Sequence, residues 1–263
     1  MNRLLLVLPL ALLTARDCGP SATGFDQSHA AWTRILKDHV RGDEVDYGKL
    51  KEEVLRALDE YLASLALVMP EDFAGWKREQ QYAYWINAYN AYTVKTVVDA
   101  YPLGSIRELS DKEKTVWQQP RVPLGHLFAE AGGEKLSLDD VEHKILRPRF
   151  KDARVHAAVN CASRGCPSLR AEAFVADRLE KQLDEQTRAW LSDEGRNRYD
   201  RSRRRIEISK VFEWFRDDFV RDAGSVRAWI ARHGPEEAAW IEAGEDVEIE
   251  FLEYSWALND AKE

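Results

Sequence analysis

The sequence predicts an α+β protein, and three observations carry that prediction. Apolar residues recur at helical spacing through much of the chain, one helix is apolar on every face, and short runs such as "RRIEIS" and "DVEIEFLEYSW" have the alternation of strands. In order, "SHAAWTRILKDHV" places Trp32, Ile35 and Leu36 on one helical face, and "YGKLKEEVLRALDEYLASLALVM" does the same with Leu50, Val54, Leu58, Leu62 and Leu65. Gly42 and Gly48 flank the connection between them. From Gly75 to Ala100, and above all from Tyr82 onward, aromatic and aliphatic residues appear on every face, which predicts a central, buried helix. Asn87 and Asn90 lie three apart on it, where buried amides either tie the helix to neighbouring backbone or line a site.

Tyr101 and Pro102 end that helix. The stretch to Lys135, broken by Pro120, Pro123 and Gly132-Gly133, reads as short strands and turns. Ser137, followed three residues later by Asp140, opens a short helix that Pro148 is expected to stop. "RVHAAVN" alternates and reads as a strand running into a loop with Cys161 and Cys166. Beyond it come a helix in "FVADRLEKQLDEQTRAWL", a strand in "RRIEIS", helices in "KVFEWFRDDFV" and "SVRAWIARHG", and a terminal strand in "DVEIEFLEYSW". No repeat or long flexible linker divides this span, so residues 27–263 read as one globular domain.

Nine Trp, nine Tyr and nine Phe in 263 residues supply ample core. A net charge of −8 and a pI near 5.4 disfavour a nucleic-acid partner. The basic run "RYDRSRRRIEIS" reads as a solvated turn leading into a strand. At the N-terminus, Arg3 precedes an apolar run from Leu4 to Leu13, so residues 1–22 are expected to be a secretory signal and the protein periplasmic or extracellular. Cys18 is the point at which a lipid anchor would attach, although Arg16 and Asp17 beside it are unlike the small neighbours of such sites. In an oxidising compartment the remaining pair, Cys161 and Cys166, invites a disulfide reading.

Four motifs in order, "YWINAYNAYTV" at 84–94, "LSLDDVEHKILR" at 136–147, "RVHAAVNCASRGCPSL" at 154–169 and "VEIEFLEYSWALN" at 247–259, resemble the family called domain of unknown function 547. The resemblance spans about residues 76–259. It implies a papain- or transglutaminase-like core, a central buried helix packed on an antiparallel sheet with additional helices. In active members of that wider grouping the nucleophilic cysteine opens the central helix. Residues 82–92 hold no cysteine, and Asn87 or Asn90 stands in that neighbourhood, which implies a rewired or a non-catalytic site.

Cys161 is the candidate nucleophile, since thiol chemistry needs a thiolate supported by a histidine, a positive charge or a helix N-terminus. On an extended strand His156 would sit roughly 16 Å from it and on the other face, so a Cys161–His156 dyad requires the strand to fold back early, and His156 is expected in one polar cleft with Asn87, Asn90, His143 and Cys161. His143, on the preceding helix with Asp139 four residues before it, is the better mate, with a surface pair as its alternative. Glu142 points a quarter turn away as a candidate acid. His156, Cys161 and Cys166 are zinc-type ligands without an obvious fourth, so neither metal nor cofactor is expected. A Cys161–Cys166 disulfide would add on the order of 2 kcal/mol. Two functions remain: a thiol-dependent hydrolase or acyl transferase acting on an envelope peptide or amide, with an asparagine amide stabilising the oxyanion, or a non-catalytic module binding a peptide, glycan or envelope protein behind a structural disulfide.

Overall fold

The computed structural model describes residues 24–261 apart from 129, 131–132 and 243–246; the expected signal segment, Cys18 and Gly132 lie outside the described residues. Helix α1 (Ala30–His39) buries Trp32, Ile35, Leu36 and His39, one stripe at helical spacing. A two-residue hairpin follows, β1 (Val40–Arg41) and β2 (Glu44–Val45), turned by Gly42 at φ +61°. Asp46 then caps α2 (Tyr47–Lys49) by accepting the Lys49 N–H at 3.0 Å. The chain continues through a π turn, Leu50–Val54, into α3 (Leu55–Ala66) and the short α4 (Pro70–Gly75).

Helix α5 (Arg78–Ala100) is the expected central helix: every residue from Tyr82 to Val94 is buried. Its asparagines spend their amides on backbone. Asn87 exchanges two hydrogen bonds with Phe174, at 2.7 and 3.0 Å. Asn90 donates to Ala158 O at 2.9 Å and accepts from Asn160 N at 2.8 Å. Both polar ends of each amide are thereby satisfied, as buried amides require.

The stretch after α5 forms 3₁₀ turns, Ile106–Leu109, Val116–Gln118 and Gly125–Leu127, with one isolated bridge between Val122 and Leu136 in place of the expected short strands. Its frequent prolines remove the donors a ladder needs. Ser137 and Asp140 cap each other reciprocally: the Ser137 Oγ accepts from Asp140 N at 3.0 Å and the Asp140 carboxylate accepts from Ser137 N at 2.8 Å. The helix they open is a π-helix, Asp140–Phe150, which runs through Pro148 instead of stopping there. The wider π turn accommodates a ring that would clash in an α-helix.

"RVHAAVN" is not a strand. Its centre is a single turn, α6 (Val155–Ala158), with all four residues buried, so the alternation marked no face. Helix α7 (Leu179–Leu191) leads to the hairpin β3 (Arg198–Asp200) and β4 (Arg205–Ile208), joined by the exposed basic turn 201–204. Helices α8 (Val211–Trp214), α9 (Arg216–Ala223) and α10 (Val226–His233) follow, with Gly224 at φ +82° ending α9. The last strand, β5 (Glu248–Phe251), pairs parallel to β4 and is shorter than its motif.

The architecture is therefore α+β with small sheets. The three-stranded sheet β3-β4-β5 is mixed, not antiparallel, and its buried residues cluster with α7, α9 and α10, whereas α5 lies in a separate helical core. No helix among the described residues is long and apolar enough to cross a membrane.

Candidate functional site

A cavity of about 160 Å³ opens where the two cores meet. Its walls come from α5 (Tyr89), the start of the π-helix (Asp139, Glu142, His143), α6 and the loop after it (His156, Cys161, Cys166), and α8 (Trp214) with the adjoining Phe215. Trp117 from a 3₁₀ turn, and Tyr254 and Trp256 after β5, close it.

Loop 161–166 is shaped by side chains that reach it from elsewhere. Asn90 fixes Asn160, and Asn160 accepts from Ala162 N at 2.8 Å and donates to Pro167 O at 2.7 Å. Ala162 adopts φ +62°, an uncommon conformation for a side-chain-bearing residue. The chain after β5 pairs with the loop through Gly165 N to Ser255 O at 2.9 Å, Arg164 N to Ala257 O at 2.8 Å and a bridge between Ser163 and Leu258. A Cβ on Gly165 would lie 2.8 Å from the Tyr254 ring, so only glycine permits this approach.

Cys161 and Cys166 are free thiols, not the expected disulfide. The Cys161 N–H donates to Cys166 Sγ at 3.1 Å, and Cys161 Sγ lies 3.0 Å from the Tyr254 hydroxyl. Hydrogen bonding from Cys166 lowers the Cys161 thiol to about 7; burial opposes this, and the Tyr254 hydroxyl and Ser163 reinforce it. The buried Ser163 hydroxyl makes no hydrogen bond among the described residues. Burial pushes the Cys166 thiol up, so the proton of the pair stays there.

Across the cavity His156 is 3 % exposed, not on the far face of a strand. Its Nε2–H donates to Asp218 Oδ2 at 2.8 Å, leaving Nδ1 unprotonated and 3.8 Å from Glu142 Oε1. Its ring stacks on Phe215 with centroids 4.1 Å apart. Burial lowers the His156 pKa against the pull of Asp218. Burial would raise Asp218, but hydrogen bonds from His156 and Arg147 hold it well below the usual carboxylate range. Burial raises Glu142 and Asp139, favouring their protonated forms.

His143 lies at the rim. Arg147 Nη1 donates to its Nδ1 at 2.9 Å, and Asp139 is 3.9 Å from Nε2, too far for a hydrogen bond. The structure thus brings Cys161, His143, His156 and Glu142 to one cavity and leaves Asn87 and Asn90 out of its lining. Among the described residues no three His, Cys, Asp or Glu side chains are arranged to hold a metal ion. Tyr254, Ser163 and Asp218 went unsingled in the sequence. "EYSW" was visible as part of a motif, but nothing local ties Tyr254 to a cysteine 93 residues earlier.

Residues 73–191 match the family model described as "Protein of unknown function, DUF547". They are a DUF547 domain. No curated protein and no solved structure matches the chain. The match begins close to where the motif resemblance begins and ends at Leu191, so the motif at 247–259 lies beyond it. The DUF547 span supplies both cysteines, His156 and Glu142. Asp218, Phe215, Tyr254 and Trp256, which orient and enclose them, come from the following 72 residues of the chain.

Proposed function

We propose that the protein is an exported thiol-dependent hydrolase or acyl transferase acting on a peptide or amide of the cell envelope. The observation that carries this reading is the Cys161 sulfur, held toward its thiolate by Cys166, Tyr254 and Ser163 on the wall of a cavity that His156 and Glu142 also line. Cys161 Sγ attacks the carbonyl carbon, the carbonyl π pair moves to oxygen, and the tetrahedral species collapses with loss of an amine or alcohol. Glu142, whose burial favours its acid form, delivers the proton to that leaving group and regains one from the water or amine that next attacks the acyl carbon. Asp218 fixes the His156 tautomer so that the unprotonated Nδ1 faces Glu142. Water or an acceptor amine then takes the acyl group from sulfur.

Two expectations change. His156 replaces His143 as the histidine serving the site, because His143 is engaged by Arg147 at the rim. The oxyanion donor is not the amide of Asn87 or Asn90, because both are spent on backbone. The papain- or transglutaminase-like kinship belongs to the same reading, with the nucleophile moved from the central helix to the 161–166 loop. Export rests on the Leu4–Leu13 apolar run behind Arg3.

Incubation with p-nitrophenyl acetate tests the reading. A stoichiometric burst of nitrophenolate, with acetyl mapped to Cys161 by peptide mass spectrometry and lost in Cys161→Ser, is expected. Equal release by Cys161→Ser overturns it and leaves the aromatic-lined cavity as a binding module for a peptide or glycan.

A further inference from the structure

The cavity has a chemical character beyond its thiol. We propose that it selects a cationic substrate group, the primary ammonium of a lysine-like side chain, on the acyl compound that Cys161 attacks; this rests on the acyl-transfer reading.

Size comes first. A cavity of about 160 Å³ has room for an alkylammonium arm. Next is charge. Asp139 and Glu142 line the cavity and no lysine or arginine does, Arg147 and Arg107 being engaged with the Phe215 and Trp256 rings, so an ammonium arm meets acidic side chains within the cavity. An entering ammonium would instead favour ionised Asp139, whose burial otherwise disfavours it.

Aromatic faces supply the rest. Trp214, Tyr254 and Trp256 form a continuous cluster, with ring centroids 4.8 Å apart for Trp214–Tyr254, 4.6 Å for Tyr254–Trp256 and 5.8 Å for Trp214–Trp256. Trp117 extends it at 5.4 Å from Trp256. Such faces attract cations through the ring quadrupole. The protein's own guanidinium groups already use rings of this wall: Arg107 sits 5.1 Å over Trp256 and Arg147 4.9 Å over Phe215. Trp214, 45 % exposed, is the ring most open to an incoming group.

The test compares Nα-acetyl-lysine methylamide with Nα-acetyl-norleucine methylamide, which differ in the ammonium, by tryptophan fluorescence titration of the full chain carrying Cys161→Ser. The lysine compound is expected to bind about tenfold tighter, and the preference is expected to shrink in Trp214→Ala and to persist in Trp214→Phe. Trp214 is surface-exposed, so unchanged thermal unfolding should accompany its loss of selectivity. Equal or tighter binding of the norleucine compound overturns the proposal. Because the titration needs no turnover, an ammonium preference without acetylation of Cys161 would refute acyl transfer alone, and acetylation without the preference would refute the cation site alone.

Discussion

Replacing Tyr254 by phenylalanine removes one hydroxyl from the site and leaves its ring in place. That hydroxyl lies 3.0 Å from Cys161 Sγ. The Cys161 thiol stands at about 7 against an ordinary value of 9.0, with Cys166 contributing most and Tyr254 next among the groups that lower it. A hydrogen bond to a charged acceptor is worth about 1.5 kcal/mol at its lower end, and one pKa unit corresponds to about 1.4 kcal/mol. Tyr254→Phe should therefore move the midpoint up by about one unit. At neutral pH the thiolate fraction falls from about one half to about one tenth, a fivefold loss that is partly offset because the more basic sulfur is intrinsically about threefold more reactive. The midpoint is thus a cleaner readout than a single-pH rate. Iodoacetamide alkylation of Cys161, followed by peptide mass spectrometry across pH, measures both midpoint and high-pH plateau. A midpoint that does not move in Tyr254→Phe, while Cys166→Ala shifts it, would refute the hydroxyl's part in holding the thiolate.

Two further perturbations test how the fold supports the site. Gly165→Ala places a Cβ against the Tyr254 ring and Ser255 N, so it should cost about 1–3 kcal/mol in chemical denaturation and raise the Cys161 midpoint together; a change in neither would contradict the close approach. His29, buried beside Tyr61, has its pKa lowered to about 4 by burial, from 6.5. The unfolded chain therefore takes up the proton first: the contribution is complete above pH about 6.5 and is lost as pH falls through about 4, about 3 kcal/mol in all. Urea titrations should show that extra acid loss in the parent and not in His29→Gln, and parallel pH profiles would exclude it.

Helices declared themselves in the sequence wherever one face meets a core. Trp32, Ile35 and Leu36 mark α1, and the unbroken burial from Tyr82 to Val94 matches a segment apolar all round. Period-2 readings fared worse, for a physical reason. "RVHAAVN" alternates, yet Val155, His156, Ala157 and Ala158 are all buried, so tertiary packing overrode the pattern. That misreading also turned His156 away from Cys161 within the cleft both were expected to share. "DVEIEFLEYSW" pairs only over Glu248–Phe251; beyond it the chain leaves the sheet, and Tyr254 and Trp256 reach the cavity because it does.

Cys161 was legible as a reactive candidate, but the groups that activate it were not, since they join through long-range contacts. Asn90 and Asn87 illustrate the difference between lining a site and building one: Asn90 holds the amide of Asn160, and Asn160 in turn holds the left-handed Ala162 behind the nucleophile. With the loop fixed, the Cys161 N–H is spent on Cys166 Sγ, which keeps the two sulfurs of a buried pair together. One of them must carry the proton. Cys166, the more deeply buried, retains it, and the partly exposed Cys161 faces Tyr254 and the cavity. What favours a thiolate at Cys161 is that the Tyr254 hydroxyl lies 3.0 Å from its sulfur while burial holds the proton on Cys166.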